Sequence, residues 1–210
     1  MGSPFTNTPV LDTFSGGDGA PGASWTTPAS TSFDVSAMSV LSAQLRATVQ
    51  YGSLALWNAS KFTNGEVFVT IPVLPAAGEK IDLYLRAGPT PGSVVTAYVL
   101  RIFWDGTSSI RKVVDSVDTW LASAGAPAWA AGDKGGFSVA GTTLRAYRYT
   151  GGTWGQLATV EDSSITAAGY CGIGTSDYTV ARFDDFGGGD AVTTLASDTP
   201  MPIMGRGATW

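Results

Sequence analysis

The sequence predicts an all-β protein, a single domain of two antiparallel sheets packed face to face as a sandwich. From about Gln44 to Phe186 the apolar residues recur with period two or in unbroken runs of strand length. Gly, Pro, Asn and Asp punctuate those runs at short intervals and supply the backbone angles that tight turns need. Charged residues make up only 14% of the chain while Gly, Ser and Thr are abundant, a balance that suits strands and turns over helices. At 210 residues and 44% hydrophobic composition, the chain can bury a real core and is too apolar for disorder.

Residues 1 to 32 are rich in Pro, Gly, Ser and Thr around one apolar island, Val10, Leu11 and Phe14, and read as an extended arm, a short strand and a loop. The strand-like runs then follow as "QLRATVQY", "GEVFVTIPVL", "KIDLYLRA", "VVTAYVLRIFW", "SIRKVVDSV", "TLRAYRYT", "GQLATVED", "GYCGIG" and "YTVARFDDF". Between them, "NASKFTNG", "PAAGEK", "GPTPGS", "DGTS", "AGDKGG" and "TGGTW" carry turn chemistry. One stretch is helix-like: in "VDTWLASAGAPAW", Asp118 caps a first turn that Gly125 and Pro127 end, which reads as a loop or a single turn. After Phe186 the chain becomes glycine-rich and leaves as a tail without strand period. This gives an N-terminal arm over 1–9, a domain over 10–188 and a C-terminal arm over 189–210.

A net charge of −5 and a pI near 4.5, with no basic stripe, argue against nucleic-acid binding. The chain has no His and a single cysteine, so neither a Ser-His-Asp relay nor a common zinc site can be assembled, and Cys171 is expected to be a buried small residue. "MGSPFTNTPVLDTF" lacks the charged and apolar regions of a secretory signal, and no apolar run approaches a membrane span.

Residues 12 to 18, "DTFSGGD", echo residues 184 to 190, "DDFGGGD", as two terminal strands lying side by side and ending in similar turns would. Three ordered elements, "LDTFSGGDGAPGASWTT", "EDSSITAAGYCGIG" and "ARFDDFGGG", together with the central "DLYLRAGPTPGSVVTAYVLRIFWDG", resemble the concanavalin A-like lectin/glucanase superfamily in its laminin G-like branch. The resemblance spans about residues 10 to 188. It implies a jelly roll whose first and last strands are neighbours in one sheet, and it leaves function open, since the superfamily holds lectins, glycan-cleaving enzymes and spacers.

Candidate residues follow from chemistry. A retaining glycosidase needs two carboxyl groups on one face, and the laminarinase-type Glu-x-Asp-x-Glu cluster is missing: Glu66, Glu79 and Glu161 stand alone. Strict alternation from Thr179 puts Phe183 and Asp185 on one face and Asp184 and Phe186 on the other, so the neighbouring aspartates point apart and both phenylalanines reach the core only if a bulge or a strand end falls between them. The expectation is a protein that is not an enzyme. For sugar stacking the candidates are Trp104, Trp129, Trp154 and Tyr149, all near turns, with Trp154 foremost after Gly151 and Gly152; Trp25 and Trp57 are assigned to the core. Asp12, Asp18, Asp184 and Asp190 would gather around a calcium ion if the terminal strands pair in register, although no spacing matches a calcium loop and capping of backbone amides is the favoured role.

Phe5 and Pro9 in one arm, and Met201, Ile203, Met204 and Trp210 in the other, are more apolar than solvated tails and fit segments that order on a partner. Domains of the laminin G-like kind resemble those of tailed-phage particles. The resemblance thus implies a multi-copy virion protein, at the tail or another exposed site, whose arms bind other virion proteins and whose sandwich binds host-surface polysaccharide, with no nucleic-acid or membrane partner. The alternatives are a capsid decoration protein acting as lattice clamp and spacer, or a cellular carbohydrate-binding lectin or glycosidase-related module.

Overall fold

The structure is a computed structural model that describes residues 4–28, 37–49, 52–90, 93–115, 117–125 and 128–191. The docking residues expected at Met201, Ile203, Met204 and Trp210 lie outside the described residues. The first sheet runs in the order β13 (Thr153–Glu161), β12 (Thr143–Thr150), β11 (Lys134–Ala140), β6 (Gly65–Val73), β15 (Arg182–Asp190), β4 (Gln44–Ala47) and β3 (Met38–Leu41), with β1 (Val10–Asp12) also paired to β15. The second runs β10 (Val117–Ser123), β9 (Ser108–Val114), β8 (Ser93–Phe103), β7 (Lys80–Thr90), β14 (Gly169–Thr175), β5 (Ser53–Phe62) and β2 (Trp25–Thr26). All pairings are antiparallel, and the first and last strands are neighbours, as the echo of "DTF" and "DDF" implies. Among the described residues no helix is long and apolar enough to cross a membrane.

Period-two alternation builds the core. Val67, Val69 and Ile71 of β6 and Leu144 and Ala146 of β12 meet Leu83, Leu85, Leu100 and Ile102 of the second sheet, all fully buried. Their neighbours Phe68, Thr70, Tyr147 and Tyr149 face outward. Cys171 is wholly buried, and burial pushes its thiol up to about 12. Trp25 is buried against Phe14, Trp57 and Phe186, which places the two core tryptophans as expected.

Of the two ways to bury both phenylalanines, a bulge or a strand end, the closing strand takes the bulge. Asp184 lies opposite Thr70 and Gly187 opposite Phe68, so β15 takes three steps where β6 takes two. The extra residue is Asp185, with φ of 46°. Phe183 and Phe186 are therefore both fully buried, each burial stabilising by about 2–3 kcal/mol. The same bulge corrects the expectation that the two aspartates point apart. Asp184 shares the outer face with Thr70, and Asp185 accepts the Thr70 hydroxyl at 3.3 Å, so both carboxylates lie on the outer side.

The glycines that follow form a bed. A Cβ on Gly187 would fall 2.2 Å from the Phe68 ring, and one on Gly188 3.0 Å from the Cys171 sulfur. Over this bed lies the N-terminal arm, where a second expectation is corrected. Phe5 is 9% exposed and packs on the chain's own sheet, and Pro9 accepts the Gly188 N–H at 3.2 Å, so both residues are ordered without a partner.

Elsewhere the structure adds strands. Val117–Ser123 of the helix-like stretch form edge strand β10, paired to β9 with a register shift after Trp120, because ladder hydrogen bonds and an apolar neighbour outweigh one capping residue. β5 covers the first half of "NASKFTNG", and β11 begins within "AGDKGG" at Lys134. Gly135 and Gly136 are strand residues because side chains there would meet Ile102 at 2.9 Å and the Phe5 ring at 2.6 Å. β15 runs through Asp190, past the domain end expected at 188.

Candidate functional site

On the outer face of the second sheet, charged and aromatic residues break the apolar alternation of four adjacent strands. Asp82 and Arg101 are direct partners across β7 and β8, and Arg111 and Trp120 across β9 and β10. The Arg101 guanidinium holds Asp82 with both arms, Nε to Oδ1 at 2.8 Å and Nη2 to Oδ2 at 2.9 Å, and reaches Asp118 through Nη1 at 2.5 Å. Arg111 Nη1 donates to the other Asp118 oxygen at 3.1 Å, and its Nε donates to Ser109 at 3.0 Å. Tyr84 donates its hydroxyl to Asp82 at 3.2 Å.

The charge states are fixed by these contacts. Burial pushes the Asp118 carboxyl up, but the Arg101 charge and the hydrogen bonds from Arg101 and Arg111 outweigh it and hold the group below the usual range. Burial works against the Arg101 charge too, and the Asp82 carboxylate overrides it, so the guanidinium stays protonated. Burial, reinforced by the Asp82 charge, raises the Tyr84 phenol well above its ordinary value, which leaves it a neutral hydrogen-bonding group.

At the rim of this network stands Trp120. Arg111 sits 4.8 Å from the Trp120 ring centroid and 5.8 Å from that of Phe103, a cation–π stack that supports one side of the indole while 53% of the residue remains exposed. Asp118, Arg111 and Trp120 thus present an aromatic plane beside oriented donors and acceptors on a paired strand. Such a surface can stack a ring and hydrogen-bond its hydroxyls.

The sequence-predicted aromatics do not make one site. Trp104 is 49% exposed at the β8–β9 turn, whereas Trp129 is 5% exposed in the core with Arg148 over its ring, so it cannot stack on a ligand. Trp154 and Tyr149 do meet, at 5.4 Å, but Trp154 lies in β13 rather than at the loop tip, half-buried under Phe5 at 4.5 Å. Nor do the four aspartates gather. Antiparallel pairing sets Asp12 opposite Phe186, not Asp184. Asp12 accepts the Phe14 N–H and the Trp25 indole, each at 2.7 Å, Asp18 accepts the Ser42 N–H at 2.7 Å, Asp184 accepts the Asp185 N–H at 2.8 Å, and Asp190 is exposed at the end of β15. Among the described residues no three acidic or thiol side chains group as a metal site.

Trp120 is not legible in the sequence, because "VDTWLAS" reads as a loop or a single turn. The signal that reaches the network is narrower: Asp82 is the one acid in β7 and Arg101 the one charge in β8, both within apolar runs, and such charges need partners.

The sequence matches no family model and no curated protein. Solved structures do match. The carbohydrate-binding module CBM66 from Bacillus subtilis aligns with a TM-score of 0.57 at 14% identity, over 79% of this chain and 94% of that one. The VIP36 exoplasmic/lumenal domain in its Ca2+/Man3GlcNAc-bound form gives 0.58 at 13%, over 83% and 87%. SCLam, a non-specific endo-beta-1,3(4)-glucanase from family GH16, gives 0.58 at 11%, over 90% and 94%. The fold is the concanavalin A-like jelly roll. At these identities the likeness concerns architecture alone, and a jelly roll of this kind carries binding modules and glucanases alike. What distinguishes this one is its own side chains.

Proposed function

We propose that the protein is a non-enzymatic, carbohydrate-binding jelly roll that takes a sugar on the exposed side of Trp120, with Asp118 and Arg111 at the rim. The observation that carries this reading is the Trp120 plane, exposed to solvent yet fixed on β10 by the Arg111 guanidinium. A rigid aromatic beside pre-oriented polar groups needs little ordering on binding. The ligands of its structural neighbours, a carbohydrate for one and Man3GlcNAc for another, lend support at the level of ligand class.

The non-enzymatic part is supported by the carboxylates. A glycosidase acid needs a raised pKa beside an ionised partner. Asp118, on the proposed face, is instead held low and ion-paired, and Asp82 is bound bidentately by Arg101. Burial raises the carboxyls of Glu66 and, together with the neighbouring Asp185 charge, of Asp184, but Thr8 of the arm covers Glu66, and Asp185 is taken up by Thr70 and Lys134. Glu66, Glu79 and Glu161 lie on separate strands or turns. The setting we propose, a tailed-phage particle, rests on the sequence resemblance of residues 10 to 188, and detection of the chain in purified particles by mass spectrometry tests it.

Glycan arrays followed by calorimetry test the site. Trp120→Ala is expected to weaken binding at least tenfold, about 1.4 kcal/mol, with Trp104→Ala and Trp154→Ala near wild type. Unchanged binding by Trp120→Ala, or no glycan bound at all, defeats the proposal, and release of reducing sugar by the wild-type protein defeats its non-enzymatic part.

A further inference from the structure

The seat of the N-terminal arm is built like a recognition site. Phe5 enters a pocket on the outer face of the first sheet, between Phe68, Tyr147 and Trp154, at centroid distances of 5.9, 5.4 and 4.5 Å. Gly136 floors it, since any Cβ there would overlap both the Phe5 and Trp154 rings. Three residues on, Thr8 donates its hydroxyl to the buried carboxylate of Glu66. Pro9 then accepts the Gly188 N–H, and its ring and the Thr8 methyl lie over Gly189. An aromatic pocket, a hydroxyl-reading carboxylate and a backbone contact thus read one short segment in order.

We propose that this seat is an exchangeable binding site for the segment 4–9, and that its second occupant is the same segment of another copy of the chain. The seat is complementary to that segment by construction, so a copy's arm fits it equally well. The tether is slight. β1 spans three residues, and its register shifts between Val10 and Asp12, beyond which Asp12 is fixed by Phe14 and Trp25. Phe5 itself has φ of 62°, a conformation unfavourable for so large a side chain, so the seated arm carries strain whichever chain supplies it. An empty seat would expose three aromatic rings and leave Glu66 without its hydroxyl partner, so it favours being filled from whichever chain is near. The chain's own arm competes at an effective concentration on the order of millimolar, which makes exchange a property of crowded, multi-copy arrangements. The inference does not depend on the sugar site, which lies on the other sheet.

Engineered cysteines test it, because native Cys171 is fully buried. The Thr8 methyl lies 3.9 Å from where a Cβ on Gly189 would stand. The double variant Thr8→Cys/Gly189→Cys is expected to close a disulfide within one chain under mild oxidation, which shows that the seat is formed and both positions are in reach. The two single variants, mixed at high concentration, are expected to give a covalent heterodimer several-fold above a control pairing Thr8→Cys with Ser60→Cys on exposed β5, and adding Phe5→Ala is expected to reduce it. A heterodimer yield no higher than the control, while the double variant closes, overturns exchange. Failure of the double variant to close overturns the seat itself.

Discussion

Arg101 and Asp82 face each other across β7 and β8 with side chains only 10% and 5% exposed, and neither tolerates the loss of the other. Asp82→Ala is expected to cost about 3–5 kcal/mol in urea unfolding, because it leaves a buried guanidinium with Asp118 alone, while a paired apolar replacement of both residues costs less than either single change. Asp177 plays a different part. It is 1% exposed and accepts N–H groups of Ala76, Thr179, Val180 and Ala181, pinning the loop before β15. Burial pushes its carboxyl up, and the Thr179 hydroxyl and the backbone donors more than reverse that, so the group is held low. Asp118 is depressed as well, by its arginines. Depressed carboxyls contribute stability that is fully present above their unfolded value, near 3.9, and is lost as pH falls through the folded values. Stability is therefore expected to drop below about pH 4, and Asp177→Asn is expected to flatten that drop in a pH series of denaturation midpoints.

Within the closing strand the deciding feature is the bulge at Asp185. Asp185→Gly relieves a left-handed backbone and gives up only a long contact to Lys134 at 3.5 Å and one to Thr70, so it is expected to raise stability by about 0.5–1 kcal/mol. Deleting Asp185 removes the extra step, turns Phe186 out of the core, and is expected to cost at least the roughly 2–3 kcal/mol of that burial. Opposite outcomes at one position, read by thermal melts, would verify the bulge. The sequence showed only that two phenylalanines spaced by three residues cannot share an unbroken strand face, which left a bulge or a strand end open, and the pairing with β6 decided for the bulge. β10 was not legible in the same way: "VDTWLAS" alternates weakly, and its strand character comes from the β9 edge it pairs with.

Across the whole molecule, β1 closes against β15 and β6 against both β11 and β15, so the first and last strands must meet before the first sheet is complete. Such non-local topology predicts refolding in milliseconds to seconds, slower than helical proteins of this size, and stopped-flow fluorescence of the buried tryptophans would register it. The two sheets share one core, and the arm, expected as a separate segment, is part of the first sheet's outer surface through Phe5.

By itself the sequence determined the all-β class, the core tryptophans and the buried cysteine, and the family resemblance implied the pairing of first and last strands. The first three follow from period, turn chemistry and side-chain volume, which act along the chain. The assembly of Trp120 with Arg111 and Asp118, the seat that holds Phe5 over Gly136, and the separation of the four aspartates were decided only in the tertiary structure. They depend on which strands become neighbours and in what register, and one residue of register decides which face each side chain joins.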